Sequence, residues 1–224
     1  MRKIIIAIDG PAGSGKTTTA KLLSEKLNYL YIDTGAMYRA ITLAWINSKT
    51  EMRDESLTKI INDSRIELVH SPNGQITMLN GVDVSEDIRS QSVNKFVSAI
   101  SANEKVRSHL VRMQRELAKD RQCVLDGRDI GSVVFPDAEL KVFLVASIGA
   151  RAKRRHLEYE KKGIADLSFD EIATQINQRD NFDSARKESP LTRTQDAIEI
   201  DTTNLTIEQQ VDKIYDLAIK IINS

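Results

Sequence analysis

The stretch "GPAGSGKT", from Gly10 to Thr17, constrains the fold more than any other part of the chain. It fits G-x-x-x-x-G-K-[ST] at every fixed position, follows the isoleucine-rich run "KIIIAI" and precedes a segment with helical periodicity. Glycines let backbone N–H groups approach phosphate oxygens, and the positive N-terminal end of a helix adds to the attraction. The stretch therefore predicts a strand, a phosphate-binding loop and a helix that together bind a nucleoside triphosphate.

Within this phosphate loop, Lys16 can reach the β- and γ-phosphates as a point charge. The Thr17 hydroxyl can hold Mg²⁺, and Asp126, at the end of the apolar run "CVLD", can assist from a buried strand. We expect the nucleotide donor to contact the whole loop: Gly10, Pro11, Ala12, Gly13, Ser14, Gly15, Lys16, Thr17 and Thr18.

Two further patterns narrow the class of nucleotide-binding protein. A GTPase carries N-K-x-D for guanine, whereas the only Asn-Lys pair here continues with Phe96 and Val97. A motor ATPase usually has a glutamate after the strand-ending aspartate to polarise water, but glycine follows Asp126. Both observations favour a kinase, which must avoid hydrolysis.

Short, non-alternating apolar runs separated by helical segments predict a parallel sheet that is buried on both faces. The predicted strands are 3–8, 29–32, 123–126, 140–145 and 197–201. Capping boxes, Ser168 with Glu171 and Thr206 with Gln209, predict the starts of two later helices. The fold class is thus α/β, with a five-stranded parallel sheet.

Two segments interrupt this alternation. "RIELVHSPNGQITMLNGVDVS" has two Asn-Gly dipeptides between β-rich runs, which predicts local antiparallel hairpins. Residues 148–193 are helical and begin with a strongly basic run. We therefore divide a single domain, 1–224, into a core (1–63, 91–147 and 194–224), a β-rich acceptor-binding insert (about 64–90) and a helical lid (about 148–193).

The composition limits the partners. Thirty-two basic and 32 acidic residues cancel, which gives no support for nucleic-acid binding. No apolar run approaches the roughly 20 residues that span a bilayer. The single cysteine, Cys123, excludes an internal disulfide and fits a reduced core residue. We expect a cytoplasmic monomer that binds neither membranes nor nucleic acids.

A kinase needs a second phosphate site that faces the loop, and arginine is suited to it because its planar fork binds phosphate oxygens in pairs. Arg39 and Arg128 follow the second and third core strands, so both are expected beyond the carboxyl ends of the sheet, where ligands of α/β folds bind. Further arginines occur in the lid: Arg154, Arg155, Arg179 and Arg186.

At this point the sequence resembles the bacterial cytidylate kinases of the nucleoside monophosphate kinase family. The resemblance covers essentially the whole chain and rests on five stretches in order: "IDGPAGSGKTT", "YIDTGAMYRA", "LDGRDIGSVVFPDA", "RDNFDSARKESPL" and "AIEIDTTNLTIEQ". It implies a three-layer P-loop kinase fold. The insert matches the extra segment that lengthens the acceptor-binding region of these enzymes.

The resemblance also implies residue roles. Arg39, Arg128 and Arg186 hold the acceptor phosphate, and Thr34, Tyr38, Arg179 and Asp183 belong to the same substrate site, with Thr34, Arg179 and Asp183 near the ribose. Ser98, Arg107 and Asp129 read the cytosine edge, although the sequence alone describes Ser98 and Arg107 as ordinary helix-surface residues. The lid arginines Arg151, Arg154 and Arg155 close on ATP. Phe182 departs from relatives that have arginine there.

The predicted reaction is phosphoryl transfer from ATP to CMP or dCMP, with Mg²⁺, by direct in-line attack. We expect Lys16, Arg128, Arg154 and Arg155 to be catalytic. Two alternatives remain open: a kinase for another small acceptor such as UMP, and a regulatory protein that binds ATP without turnover.

Overall fold

A computed structural model describes residues 2–71, 74–161, 163 and 167–224. In chain order its elements are β1 (Ile5–Asp9), α1 (Lys16–Leu27), β2 (Leu30–Asp33), α2 (Thr34–Ser48), α3 (Asp54–Asp63), β3 (Ile66–Ser71), β4 (Gly74–Leu79), β5 (Val82–Asp83), α4 (Gln91–Ala102), α5 (Glu104–Leu117), β6 (Cys123–Gly127), β7 (Leu140–Val145), α6 (Ile148–Lys161), α7 (Phe169–Ala185), β8 (Ile198–Asp201) and α8 (Ile207–Ile222). Two short turns accompany them, a 3₁₀ helix at Asp87–Arg89 and a π-helical turn at Ile130–Val134.

The central sheet has five parallel strands in the order β2-β6-β1-β7-β8. Its strands lie within two residues of the predicted bounds, and β7 matches them at both ends. Strands β1 and β6 are buried along their whole length, as expected of parallel strands with both faces covered. The α/β fold class with a five-stranded parallel sheet is therefore confirmed.

The chain forms two compact units, Met1–Leu30 with Arg121–Ser224, and Tyr31–Asp120. In the first unit, Ile8 pairs with Asp126 and Asp9 with Gly127, so β1 and β6 end at the same level. This register brings the phosphate loop and the segment after β6 to one edge of the sheet. The core below is aliphatic and includes Ile4, Ile6, Ile8, Leu23, Val124, Leu125, Val142, Leu144 and Ile214.

Two helix pairings complete the first unit: α1 packs on α8, and α6 packs on α7. Both predicted capping boxes are present, so α7 begins after Ser168 and α8 after Thr206. Helices α6 and α7 share a small apolar cluster formed by Ala152, Ile172 and Ile176. Residues 162 and 164–166, between these two helices, lie outside the described part of the chain.

The second unit surrounds a hydrophobic cluster built by α2, α3, α4 and α5, with members such as Met37, Ile41, Ile100 and Leu110. Strands β3, β4 and β5 form the predicted antiparallel sheet. Asn80 and Gly81 join β4 to β5 with positive φ angles of 52° and 81°, as a tight hairpin turn requires. The other predicted turn, at Asn73-Gly74, begins at a residue outside the described part.

In the part of the chain that the structure describes, the helices are all too short or too polar to cross a membrane.

Candidate active site

The phosphate loop leaves β1 and enters α1 at Lys16. Gly10 has φ 152°, and a Cβ placed on it would lie 2.3 Å from the backbone oxygen of Leu144. Gly13 has φ 75° and lies against Arg151 of α6. The sheet and a helix thus press on the loop from two sides, which explains why side chains are excluded at these positions.

Lys16 is buried, with 6% of its surface exposed, and its Nζ donates a hydrogen bond to the Pro11 carbonyl at 3.0 Å. Burial lowers the pKa of this ammonium well below its ordinary value. The nearby Arg128 and Arg179 cations lower this pKa further, whereas Asp126 and Asp183 act in the opposite direction. Three cations and two carboxylates therefore lie near one another beside the phosphate loop.

Thr17 and Asp126, the two candidate metal ligands, are in direct contact. The Thr17 hydroxyl donates to Asp126 Oδ2 at 2.7 Å, which joins the first turn of α1 to the end of β6. A hydroxyl beside a carboxylate is an oxygen donor set of the kind that Mg²⁺ prefers when substrate phosphates and waters complete its shell. The residues present therefore fit a magnesium ion.

Helices α6 and α7 contact the loop through a buried ion pair. Asp180 accepts the Ala12 N–H at 3.1 Å and also accepts a hydrogen bond from Arg151 Nη1. Arg151 donates in addition to the carbonyls of Ala12 and Ala146, both at 3.0 Å. Two side chains, one from each helix, thus hold the N–H and the carbonyl of Ala12.

The two candidate catalytic arginines of α6 differ in their contacts. Arg154 donates to the Gly13 carbonyl at 3.4 Å and to both oxygens of Thr202, after β8. Burial lowers the pKa of Arg154. Arg155 pairs instead with Glu158 of its own helix at 3.6 Å. Arg154 therefore supports the loop, whereas Arg155 lies along the surface of α6.

The candidate acceptor residues of the first unit meet at Asp183, which is 3% exposed. Arg128 Nε donates to Asp183 Oδ2 at 3.1 Å, and Arg179 Nε lies 3.9 Å from the same oxygen. Arg186 follows α7 and donates from Nε to the Ser189 carbonyl at 2.6 Å. The structure thus brings Arg128, Arg179 and Asp183 together.

Asp129 lies directly before the π-helical turn and is buried. Its side chain does not cap that turn. Instead Asp9, at the end of β1, accepts the N–H groups of Ile130 at 2.9 Å and Gly131 at 2.8 Å. Burial raises the pKa of Asp9 to about 6, and the neighbouring Asp129 charge adds to that effect while Lys16 opposes it.

The second unit holds the remaining candidate residues. The Arg107 guanidinium lies over the Tyr38 ring at 5.3 Å and donates to the Ser101 carbonyl at 3.0 Å. Arg107 is only 5% exposed, so its interpretation as a helix-surface residue is wrong. Ser98 is half-buried on α4, one turn from Ser101.

Arg39 and Thr34 lie on α2 of the same unit. Arg39 donates to Asn94 Oδ1 at 2.6 Å and to the Ile88 carbonyl at 3.2 Å. Thr34 is the first residue of the helix and is buried, and Asp33 caps this end by accepting the Ala36 N–H at 2.9 Å.

Sequence reasoning missed several residues that hold the site together. Asp9, Asp180 and Thr202 contact the phosphate loop or the π-helical turn although they are far from these segments in the sequence, and none was assigned a role. Each lies inside a stretch that carried the family resemblance, but position in a motif does not reveal a partner. Gln210 was also missed, although its side chain accepts from Thr19 Oγ1 at 2.8 Å.

Comparisons with known proteins agree with this geometry. A family model described as Cytidylate kinase matches residues 6–220. A cytidylate kinase of Bacillus velezensis is 48% identical over 217 residues, 96% of each chain. A cytidylate kinase of Bacillus pumilus is 48% identical over 221 residues, 98% of each chain.

Among solved structures, the shikimate kinase of Bacteroides thetaiotaomicron superposes with a TM-score of 0.51 at 15% identity, covering 97% of this chain and 99% of that one. At this identity the likeness concerns the fold alone, and it agrees with a P-loop kinase architecture. The family match, in contrast, spans the central sheet, the phosphate loop and helices α6 and α7. The chain belongs to the cytidylate kinase family.

Proposed function

We propose that the chain transfers the γ-phosphoryl group of ATP to CMP and dCMP, forming ADP and CDP or dCDP. The observation that carries the proposal is the group of charges around Lys16, where Arg128 and Arg179 lie close enough to lower the pKa of the ammonium. Three neighbouring cations repel one another, and bound phosphates relieve that repulsion. Such a cluster suits a site that holds the phosphates of a donor and an acceptor together.

On the donor side, ATP lies along the phosphate loop with its phosphates facing the loop N–H groups and Lys16. Thr17 and Asp126 would hold Mg²⁺, and the ion would supply positive charge beside the phosphates. The hydrogen bonds that Asp180 and Arg154 make to the loop keep its backbone in place before ATP arrives. Positioning of this kind is the main contribution of a protein to phosphoryl transfer.

On the acceptor side, Arg128 binds the phosphate of CMP, as do Arg39 and Arg186. The attacking oxygen needs no general base, since a phosphate monoester is largely ionised at neutral pH. Transfer is in line, with the acceptor oxygen opposite the leaving ADP. Asp183 and Arg179 contact the ribose, where a carboxylate accepts hydroxyl protons.

The base is selected by Asp129, Ser98 and Arg107. A carboxylate can accept from the 4-amino group of cytosine, but it opposes the 4-carbonyl of uracil with a second acceptor. A buried acceptor left unpaired costs about 1–3 kcal/mol, and more when it is charged. CMP is therefore expected to exceed UMP by about 10²-fold in kcat/KM.

A coupled assay of ADP release tests the proposal across CMP, dCMP, UMP, AMP and GMP. Activity confined to the cytosine nucleotides, with little ADP release when the acceptor is omitted, is the expected result. Equal use of CMP and UMP contradicts the assignment of base selection. ATP binding without turnover of any of these acceptors indicates a regulatory protein instead.

The matched variant for base selection is Asp129→Ala. It is expected to narrow the preference for CMP over UMP chiefly by reducing kcat/KM for CMP, with KM for ATP changed little. An unchanged ratio of the two efficiencies removes Asp129 from the base site.

A further inference from the structure

We infer that Asp9 is a positioning residue that holds the π-helical turn Ile130–Val134, and with it Asp129, in the orientation that reads the base; this inference rests on the proposed function. Asp9 has no role in the phosphate loop motif, which begins one residue later. Its carboxylate instead accepts two backbone N–H groups beyond β6.

The first argument concerns the ends of helical turns. The first N–H groups of any helical turn have no partner within the turn, and the residue just before it usually accepts one of them with its side chain. Asp129 occupies that place before Ile130–Val134, and aspartate is among the best capping residues. Its side chain nevertheless makes no capping hydrogen bond to the turn.

Asp9 performs the capping in its place. Oδ1 accepts the Ile130 N–H at 2.9 Å and Oδ2 accepts the Gly131 N–H at 2.8 Å, so both carboxylate oxygens are used on successive residues. The cap of this turn therefore comes from a different strand, and the Asp129 carboxylate does not supply it. Cytosine recognition requires this outcome, because a carboxylate that capped its own turn could not face the base.

The second argument concerns what Asp9 connects. It ends β1, and the next residue, Gly10, begins the loop that binds the donor. The turn that it holds follows Arg128 and Asp129, the proposed ligands of the acceptor phosphate and base. Asp9 is 7% exposed and β1 pairs with β6 up to Gly127, so the link is short and rigid. One side chain thus fixes acceptor ligands relative to the strand that carries the donor loop.

The third argument concerns the space around the hydrogen bonds between Asp9 and the π-helical turn. A Cβ placed on Gly131 would lie 3.2 Å from the Lys141 side chain and 3.5 Å from Asp9 Oδ2. Lys141 is itself held by the Pro136 carbonyl and Asp196, both at 2.6 Å. The turn therefore lies close against β1 and β7, and the carboxylate fits between them.

The decisive variant is Asp9→Asn. Asparagine keeps the size of the side chain, but it replaces one acceptor oxygen by an NH₂ group that faces a backbone N–H donor. The turn must then shift, and displacement of a substrate ligand by about 1 Å can cost about 10²-fold in rate. We expect kcat/KM for CMP to fall by about 10- to 100-fold, KM for ATP to change by less than about threefold, and the preference for CMP over UMP to narrow by about tenfold.

The matched control is Glu139→Gln. Glu139 also accepts a main-chain N–H of β1, from Ile5 at 2.9 Å, but at the opposite end of the strand from the phosphate loop. It is similarly shielded, with 13% of its side chain exposed. This variant is expected to lower the melting temperature while the ratio of CMP to UMP efficiencies stays within about twofold of the unmodified protein.

The three proteins separate the possible failures. If the unmodified protein does not prefer CMP, the proposed function fails and the inference with it. If the unmodified protein prefers CMP but Asp9→Asn keeps that preference, or impairs ATP and CMP equally, Asp9 is structural and the inference alone is overturned. A narrowed preference in Asp9→Asn with an unchanged one in Glu139→Gln supports it.

A measurement on the unmodified protein covers the case in which Asp9→Asn does not fold. Amide hydrogen exchange by NMR should show slow exchange of both the Ile130 and Gly131 N–H groups, because each donates to a buried carboxylate. Rapid exchange of these two amides in a protein whose β1 amides are protected would overturn the inference without any variant.

Discussion

The phosphate loop and the helix pair α6–α7 both carry cations that a phosphate-transfer enzyme needs, yet they hold them differently. In the loop, Lys16 is buried and crowded, and its pKa is lowered by burial and by neighbouring arginines. On α6, Arg155 is partly exposed and pairs with a carboxylate one helical turn away. A charge of the first kind is fixed before any ligand binds, whereas one of the second kind is held only weakly.

The three arginines of α6 make the same contrast within a single helix. Arg151 and Arg154 donate to loop carbonyls and are fixed by several partners, although the sequence presents them in the same basic run as Arg155. Arg151 and Arg155 are four residues apart and share one side of the helix, so what differs is the partner that each one reaches: loop carbonyls for Arg151 and Glu158 for Arg155. The number of arginines in a segment thus says little about which of them can move to meet a phosphate.

The largest effect is expected for Lys16→Ala. In the proposed reaction its ammonium meets charge that develops on the leaving phosphates, so kcat should fall by about 10²- to 10³-fold or more. The melting temperature should stay level or rise, because a buried cation beside Arg128 and Arg179 is removed. Lys26→Ala is the matched control, since Lys26 lies on the same helix but is exposed and pairs with Asp212 at 2.6 Å. Equal activity of the two variants would contradict a special role of the loop lysine.

The next largest effect is the expected difference between the variants Arg155→Ala and Arg154→Ala. Arg155→Ala should lower kcat by about 10²-fold with little change in stability, because partly exposed ion pairs contribute about 0–1 kcal/mol. Arg154→Ala should instead raise KM for ATP and lower the melting temperature, because its donors support Gly13 and Thr202. Steady-state kinetics and thermal unfolding distinguish the two, and identical profiles would remove the contrast between fixed and movable arginines.

A smaller effect is expected when the buried ion pair between Arg151 of α6 and Asp180 of α7 is broken. Asp180→Asn leaves an acceptor for the Ala12 N–H but removes the charge that faces Arg151. Loss of one member of a buried ion pair costs about 3 kcal/mol, and KM for ATP should rise by about tenfold as the loop loosens. Urea unfolding and ATP kinetics measure both quantities.

Glu158→Gln is the matched change at the partly exposed pair. It should cost less than about 1 kcal/mol and leave KM for ATP unaltered. If Asp180→Asn and Glu158→Gln lower the free energy of unfolding by the same amount, burial does not make one ion pair contribute more stability than the other.

Much of the fold follows from local sequence. The short apolar runs predicted the strands of the central sheet, and Ser168 and Thr206 predicted the starts of α7 and α8, because these signals depend on residues a few positions apart. Cys123 was also correctly placed in the core, and burial raises the pKa of its thiol to about 12. The phosphate loop motif predicted Thr17 as a metal ligand, and the end of the third strand predicted Asp126, which accepts a hydrogen bond from Thr17.

The contacts that organise the site depend instead on distant residues. Asp9 meets Gly131 across 122 positions and Asp180 meets Ala12 across 168, so no local pattern points to either pair. The sequence alone gave no reason to single out Arg107, but its side chain is buried and its guanidinium lies over the Tyr38 ring. Burial of a polar side chain is a consequence of tertiary packing, and a single sequence does not contain that information in readable form.

The smallest expected effect concerns the response of the two regions to pH. Burial raises the pKa of Asp9 to about 6 from 3.8, whereas hydrogen bonds from Ser168 lower the pKa of Glu171 at the start of α7. A carboxyl whose folded-state pKa is raised binds a proton more tightly in the folded protein, so the stability that it contributes is largest below pH 4 and is lost as pH rises through 6. Asp9 should therefore add about 1 kcal/mol to the free energy of unfolding as pH falls from 7 to 5. Glu171 acts in the opposite direction and only at lower pH, since its lowered pKa makes its contribution present above 4.5 and lost in more acid solution.

The measurement is the free energy of unfolding at pH 5 and pH 7 for the unmodified protein, Asp9→Asn and Glu171→Gln. Only Asp9→Asn should change the difference between the two pH values, because asparagine does not titrate, and an unchanged difference would mean that the end of β1 is not the region that responds first to acid.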